Sequence, residues 1–419
     1  MKTGLDRISS TPRLLSGLGR IGLITHQAVI DCRFKPAVEV IYDACISLKE
    51  PITQLTSVFG PQHGYSQTEQ DNMFETPDTT IRLPDGYEVP LYSLYSKNRE
   101  PSADQLQQID TLVVDMPDIG CRVYTYIQTL ANCIDVAARA NKKIVVLDRP
   151  NPIGMLHRDT KSKLWRHVEG NALDMRFESF VGSCPIPLRH GLTIGEFGYY
   201  YMKFKKIELD YRVIEVEGLR RDVALSTLAT EPWTLPSPNM PNWLAAYLFP
   251  GFVVLEATNI SEGRGSTLPF LLAGAPWMHT AETRQYLQKR FPENQVAIRP
   301  HDFRPTFNKH AGKVCKGLEF HVTNAEKLLP FELGQWFLFH VIATCRENFL
   351  WKEPGYEYNF KDPPYLLVLG DEKWRAPFKL AVEAGLTKES EECMSEAMKW
   401  AAADAQRFSD EASSIFLYK

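Results

Sequence analysis

An α/β fold is what this chain predicts, on three observations. Short, continuous apolar runs recur through the first half. Each leaves through a polar turn rich in Pro or Gly, and stretches of helical period separate them. Continuous apolar runs mark strands buried on both faces, and such strands belong to a parallel sheet covered by helices. The expected architecture is a Rossmann-like, mostly parallel sheet followed by a smaller mixed α/β C-terminal domain.

In chain order, "RIGLITH" reads as a strand ending at His26, and "PAVEVIYDACISLKE" as the helix after it. "ITQLTSVFGPQHG" is the second strand, leaving through Gly-Pro to Gln62 and His63. "DTLVVDMPDIG" is the third, "TYIQTLANCIDVAARANKK" is an amphipathic helix behind it, and "KIVVLDRPNP" is the fourth strand. Beyond Asp148, Thr193 and Glu196 match a capping box that opens a helix, and "KIELDYRVIEVEGL" reads as further strand. The Pro-rich segment from Thr230 to Asn242 marks the expected boundary between domains 1–232 and 233–419. A helix from about Ser390 to Phe408 closes the chain.

Composition narrows the function. With 419 residues, 44% apolar and 23% charged, the chain has ordinary globular make-up and is long for a single core. A net charge of -4 with mixed signs supplies no field for nucleic acid or an anionic membrane. The eight cysteines are scattered, with no C-x-x-C pair and no zinc-finger spacing to His, so free thiols in a reducing compartment are expected. Neither a signal peptide nor a segment of membrane-spanning length is found, which points to a cytoplasmic protein. No G-x-G-x-x-G follows any strand, which argues against a nucleotide-dependent enzyme, and no cofactor is expected. Asp115, Asp118 and His63 could meet at a metal only if their loops fold together.

Polar clusters stand at four strand exits: Thr25-His26-Gln27, Gln62-His63, Asp115 with Asp118, and Asp148-Arg149 with Asn151. In a parallel sheet these loops share one edge, where open α/β sheets bind ligands. Arg122, Tyr124 and Tyr126 follow; they offer a charged, aromatic wall for a polar ligand such as a sugar, or Arg122 merely pairs with Asp118. The densest cluster is "EATNISEGRGSTLPF", with Glu256, Glu262 and Arg264. Gly263 and Gly265 would let its backbone approach a ligand closely. Two carboxyl groups are what glycosidic bond cleavage needs, although a salt-bridged turn has the same composition.

The motifs "GLITHQ", "FGPQHGY", "DMPDIGCRVYTYIQTL", "VVLDRPNPIG", "PIPLRHGLTIGE", "PSPNMPN", "FPGFVVLEATNISEGRGSTLPFLLAGAPW" and the terminal "FLYK" resemble, in this order, the bacterial exo-β-N-acetylmuramidase family (NamZ type). The resemblance runs from about Gly22 to the C-terminus. It implies a Rossmann-like N-terminal domain, a smaller C-terminal domain and an active site between them. The implied activity is release of N-acetylmuramic acid from the non-reducing end of peptidoglycan fragments. Carried onto these motifs, the implied substrate-binding set is His26, Gln62, His63, Asp115, Asp118, Arg122, Tyr126, Asp148, Arg149, His190, Asn239, Asn259 and Arg264.

Three positions depart from the family pattern. Gln62 stands where the family usually has Glu, a leading candidate for the catalytic acid; His26 replaces a common Asn, and Ala257 a common Gly. An amide cannot donate the proton. The expected catalytic carboxyls are therefore Glu256, Glu262 and Glu69. Glu256, after the apolar "GFVVLE", is expected to be the desolvated acid, Glu262 beside Arg264 its ionised partner, and Glu69 the competitor. Arg122, Arg149 and Arg264 are expected around the lactyl carboxylate, with structural pairing to Asp118, Asp148 or Glu262 as the alternative for each. The alternative is an amino-sugar-binding protein that has lost hydrolysis.

Overall fold

The computed structural model describes residues 1–70, 73–95 and 98–419. Strands β1 (Arg20–Ile24), β2 (Gln54–Gly60), β3 (Thr79–Arg82), β4 (Glu88–Ser93), β5 (Thr111–Val114) and β6 (Lys143–Leu147) come first. A short ribbon follows, β7 (His157–Arg158) with β8 (Trp165–Arg166), then β9 (Tyr211–Ile214). The main sheet has the order β3-β4-β2-β1-β5-β6-β9, parallel throughout except for the edge strand β3. At its centre Ile24 pairs with Phe59 on one side and Val114 on the other. The chain lays β2 and β4 to one side of β1 and then crosses to β5, β6 and β9. This reversal is a topological switch point, with a crevice at the carboxyl ends of the strands. The hairpin of β3 and β4 is not foreseen by the apolar pattern, because β3 is largely exposed.

The helices form where their sequence patterns place them. Ala37–Leu48 turns Val38, Val40, Ile41 and Ala44 into the core and ends on Lys49 in the left-handed conformation. Tyr126–Arg139 buries Ile127, Leu130, Ala131 and Ile134, spaced as a helical face requires. The capping box of Thr193 and Glu196 opens Ile194–Lys205. The closing helix runs from Lys388 to Ala412, longer at both ends than its pattern suggests.

In the second half, β10 (Leu272–Ala275), β11 (Val296–Pro300) and β12 (Lys316–Val322) make an antiparallel sheet of order β10-β12-β11. One apolar cluster passes from Leu112 and Ile127 through Leu248 and Phe252 to Phe337 and Trp374, joining both halves. The C-terminal "FLYK" returns to the first half, where the Tyr418 hydroxyl donates to Asp148 at 2.6 Å.

Arg122 is a structural tie and not part of a ligand wall. Completely buried, it donates to the carbonyls of Asn171 (3.1 Å), Ile186 (2.9 Å) and Val368 (2.7 Å). It does not pair with Asp118 either. The three carbonyls come from segments far apart in sequence, so the expectation of a ligand contact fails for want of any sequence signal for such acceptors. Arg122→Met strands them in an apolar interior, at a cost of about 3 kcal/mol or more. Denaturant unfolding measures this; a loss below about 1 kcal/mol would contradict the assignment.

Candidate active site

The carboxyl ends of β1, β2, β5 and β6 do place His26, Gln62, Asp115 and Asp148 on one edge of the sheet. They do not all open into one cavity. The cleft at the switch point is lined from the first half by Gln62, His63 and Tyr124–Tyr126, and across from them by Ser237, Asn239, Glu256, Arg264, Tyr356 and Glu357. It continues into a cavity of about 230 Å³ that adds Met73, Glu262, Asn308, Lys309 and Lys352.

Hydrogen bonds fix the floor of this cleft. The Gln62 amide Nε2 donates to the Tyr95 hydroxyl and to Glu357 Oε1, both at 3.0 Å, while its Oε1 accepts from Thr125. Tyr95 accepts a further bond from the Met73 N–H at 3.0 Å and donates to Glu357 Oε2 at 2.8 Å. Opposite, Arg264 binds Glu256 at 2.5 Å, and the Tyr356 hydroxyl donates to the other Glu256 oxygen at 2.8 Å. Arg264 also reaches Glu262 at 3.6 Å, and Glu262 pairs with Lys309. Gly263 and Gly265 have φ of 84° and 80°, and a side chain on either would strike backbone atoms of Leu268 or Phe307. Their close approach is to the chain itself, which corrects the expectation that they face a ligand.

The histidines act as hydrogen-bonding groups. His63 Nδ1 donates to the Glu69 carbonyl at 2.8 Å, leaving Nε2 as an acceptor. His26 Nδ1 accepts from the Ala28 N–H at 3.2 Å, which puts its proton on Nε2, an atom with no hydrogen-bond partner among the described residues. Its ring lies 5.2 Å from that of Tyr126, whose hydroxyl is taken by Gln67 and the Pro236 carbonyl. Asn239 donates to the Gln70 carbonyl at 2.7 Å.

The remaining expected residues lie outside the cleft lining. Asp115 and Arg149 form a two-bonded ion pair at 2.6 and 3.1 Å. Arg149 and Asp118 border a neighbouring pocket of about 210 Å³ with Trp233. Asp118 accepts from the Gly120 N–H at 2.7 Å and stands 3.7 Å from His190. Asp148 is taken by Thr193, Gly195 and Tyr418, and Asn259 by the backbone of Asn348 and Leu350. Glu69 contributes its carbonyl to His63, and its carboxyl does not line the cleft. Among the described residues no group of three or more His, Cys, Asp or Glu converges as a metal site, so Asp115, Asp118 and His63 do not meet.

Comparison with known proteins bears on what such a cleft does. Residues 21–244 match the family model for the N-terminal part of exo-β-N-acetylmuramidase NamZ, and residues 247–418 the model for its C-terminal part. The chain belongs to the exo-β-N-acetylmuramidase NamZ family. It is 35% identical over 334 residues to peptidoglycan β-N-acetylmuramidase NamZ of Bacillus subtilis (strain 168), covering 80% of this chain and 75% of that protein. Two crystal structures of DUF1343 family proteins from Bacteroides fragilis NCTC 9343 share the fold, with TM-scores of 0.80 and 0.68 at 26% and 23% identity. Each match covers 100% of this chain and 99% of the other.

Against this NamZ background, the sequence reading misses Glu357, Tyr356, Tyr95, Thr125 and Lys309. The signal available was "GYEYNF", a Glu between two Tyr after a Gly, in a stretch without regular period.

Burial sets the electrostatics. It pushes His26 and His190 down to about 3 and His63 down to about 4, so all three are neutral near pH 7. Burial raises Asp118 to about 7, only partly offset by the Gly120 and Ile119 N–H groups. From about pH 4 to pH 7 the folded protein therefore keeps a proton on Asp118 that the unfolded chain has lost, and this share of stability falls as pH rises. Asp118→Asn should gain stability relative to the parent as pH rises through that window. The histidine contributions, which run the other way, largely cancel in the difference. Thermal unfolding of both proteins at pH 4 and pH 7 tests this; a pH-independent difference would show that Asp118 ionises normally.

Proposed function

We propose that this chain is a glycoside hydrolase that releases terminal N-acetylmuramic acid from the non-reducing end of β-linked, peptidoglycan-derived fragments, with the cleft between its two halves as the active site. The observation that carries the reading is the set of carboxyl groups facing the cleft, Glu256, Glu262 and Glu357, each held by specific donors. Membership of the NamZ family and the name of the Bacillus relative support it. Two carboxyls suffice for glycoside hydrolysis, so no cofactor is called for. The walls come from Gln62–Tyr126 on one side and Ser237–Glu357 on the other, consistent with domains 1–232 and 233–419 meeting at the site.

The roles expected of Glu256 and Glu262 are reassigned. Arg264 sits on Glu256 and reaches Glu262 only at the longer distance. Glu256, held by Arg264 and Tyr356, is placed as the charged partner that attacks the anomeric carbon or activates water there. Burial pushes Glu262 up, but Lys309 and Arg264 outweigh it and hold its carboxyl below the usual range. Glu262 is thus a positioning residue that anchors both cations. Glu69 has no part in the reaction.

A binding-only reading rests on the missing carboxylate at position 62, and neither the family nor a cleft with three other carboxyls supports it. Incubating the protein with β-linked muramyl disaccharides should release free N-acetylmuramic acid, detected by chromatography. Glu256→Gln should lower kcat by orders of magnitude with KM little changed. Binding without release by the parent protein would overturn the assignment.

N-Acetylmuramic acid carries a lactyl carboxylate, which needs a cation. Of the three expected arginines only Arg264 lines the cleft, and it is engaged with Glu256. Lys352, exposed at the rim of the cavity, makes no ion pair among the described residues. It is proposed to meet the lactyl group. Lys352→Met should reduce kcat/KM for N-acetylmuramides by about fivefold, on the order of 1 kcal/mol for an exposed pair, and leave neutral N-acetylglucosaminides unaffected. Equal losses on both would rule this contact out.

A further inference from the structure

We propose that Glu357 is the proton donor to the leaving oxygen, the function that Gln62 cannot perform; the assignment rests on the hydrolase reading above. The argument begins with geometry. Glu357 lines both parts of the cleft and is only 4% exposed. Its oxygens each take one bond, Oε1 from Gln62 and Oε2 from Tyr95. The direction of the second bond is fixed, because the Tyr95 oxygen already accepts from Gln62 and Met73 and must send its own hydrogen to Glu357. A carboxyl oxygen has two lone-pair sites, so each oxygen keeps one for a proton or a substrate.

Backbone conformation supports a positioned group. Glu357 and Tyr358 are consecutive non-glycine residues with φ of 45° and 65°, following Gly355 at 127°. Such left-handed residues cost of order 1 kcal/mol or more each and persist where surrounding structure holds them. Here the Arg99 guanidinium lies 3.8 Å from the Tyr358 ring centroid and 5.0 Å from those of Tyr95 and Phe180, clamping the turn.

Electrostatics agree with the geometry. Burial raises the Glu357 carboxyl above its usual range, and the neighbouring charge of Glu256 adds to this; the bonds from Tyr95 and Gln62 and the charge of Arg99 offset only part. A Glu at position 62 would set a second carboxyl about 3 Å from the first, where both could not ionise. The amide of Gln62 removes that conflict and orients the remaining carboxyl. In the reaction, the bond between the anomeric carbon and the glycosidic oxygen breaks, its electron pair goes to the oxygen, and that oxygen takes the Glu357 proton. One water is consumed: its hydroxyl ends on the anomeric carbon and its proton restores the carboxyl.

The test compares Glu357→Gln with the parent on two N-acetylmuramides, one with a sugar leaving group and one with a nitrophenyl leaving group. The nitrophenolate needs little protonation, so it separates acid catalysis from collapse of the site. A loss in kcat of about 100-fold or more is expected on the sugar-linked substrate, in line with general acid catalysis, and a much smaller one on the aryl glycoside. The alkaline limb of the pH–rate profile should disappear. Exchanging the groups, Gln62→Glu with Glu357→Gln, should recover part of the loss. Equal losses on both substrates with an unchanged pH profile would make Glu357 structural. Retained activity on the sugar-linked substrate would also overturn the proposal, while leaving the hydrolase reading intact. An inactive parent protein would overturn the hydrolase reading itself.

Discussion

The bond from Gln62 to Glu357 joins residues 295 positions apart, and the cleft depends on it. One end sits on the loop leaving β2, at the edge of the parallel sheet. The other sits on a tight turn in the second half. Tyr95 closes the triangle by donating to the same carboxyl. A carboxyl buried in this way stabilises the fold only if its oxygens are met by donors, and here each oxygen has one. The contact that shapes the site therefore also ties the two halves together across it.

Around this junction the charges are sorted by partner. Glu256 and Glu262 share Arg264, and Glu262 also pairs with Lys309, whereas Glu357 has neutral hydrogen-bond donors and the more distant Arg99. Carboxyls set in contrasting surroundings divide the work of acid and partner, as glycoside hydrolysis requires. The arginine expected at the ligand from its place in "DIGCRVY" serves the fold: Arg122 satisfies three carbonyls deep in the interior.

Much of the framework was legible in the sequence for a local reason. Buried parallel strands are continuous apolar runs, so β1, β2, β5 and β6 declare themselves, as does the helix opened by Thr193 and Glu196. The switch point follows from strand order, and His26, Gln62 and His63 fall near it. What could not be read are relations between distant residues. Nothing near Asp118 or Asp148 says that one lies beside His190 and the other takes three donors. Nothing in "GYEYNF" says that its Glu meets position 62. The departure at Gln62 signalled a missing carboxyl; only the fold supplies a candidate for its replacement.

The central claim is spatial and is tested most directly by a crystal structure of the inactive Glu256→Gln variant with an intact β-linked muramyl disaccharide. The account predicts the glycosidic oxygen within about 2.6–3.2 Å of a Glu357 oxygen, and the anomeric carbon facing residue 256. A glycosidic oxygen out of reach of Glu357, with Glu69 or another carboxyl in contact instead, would contradict it.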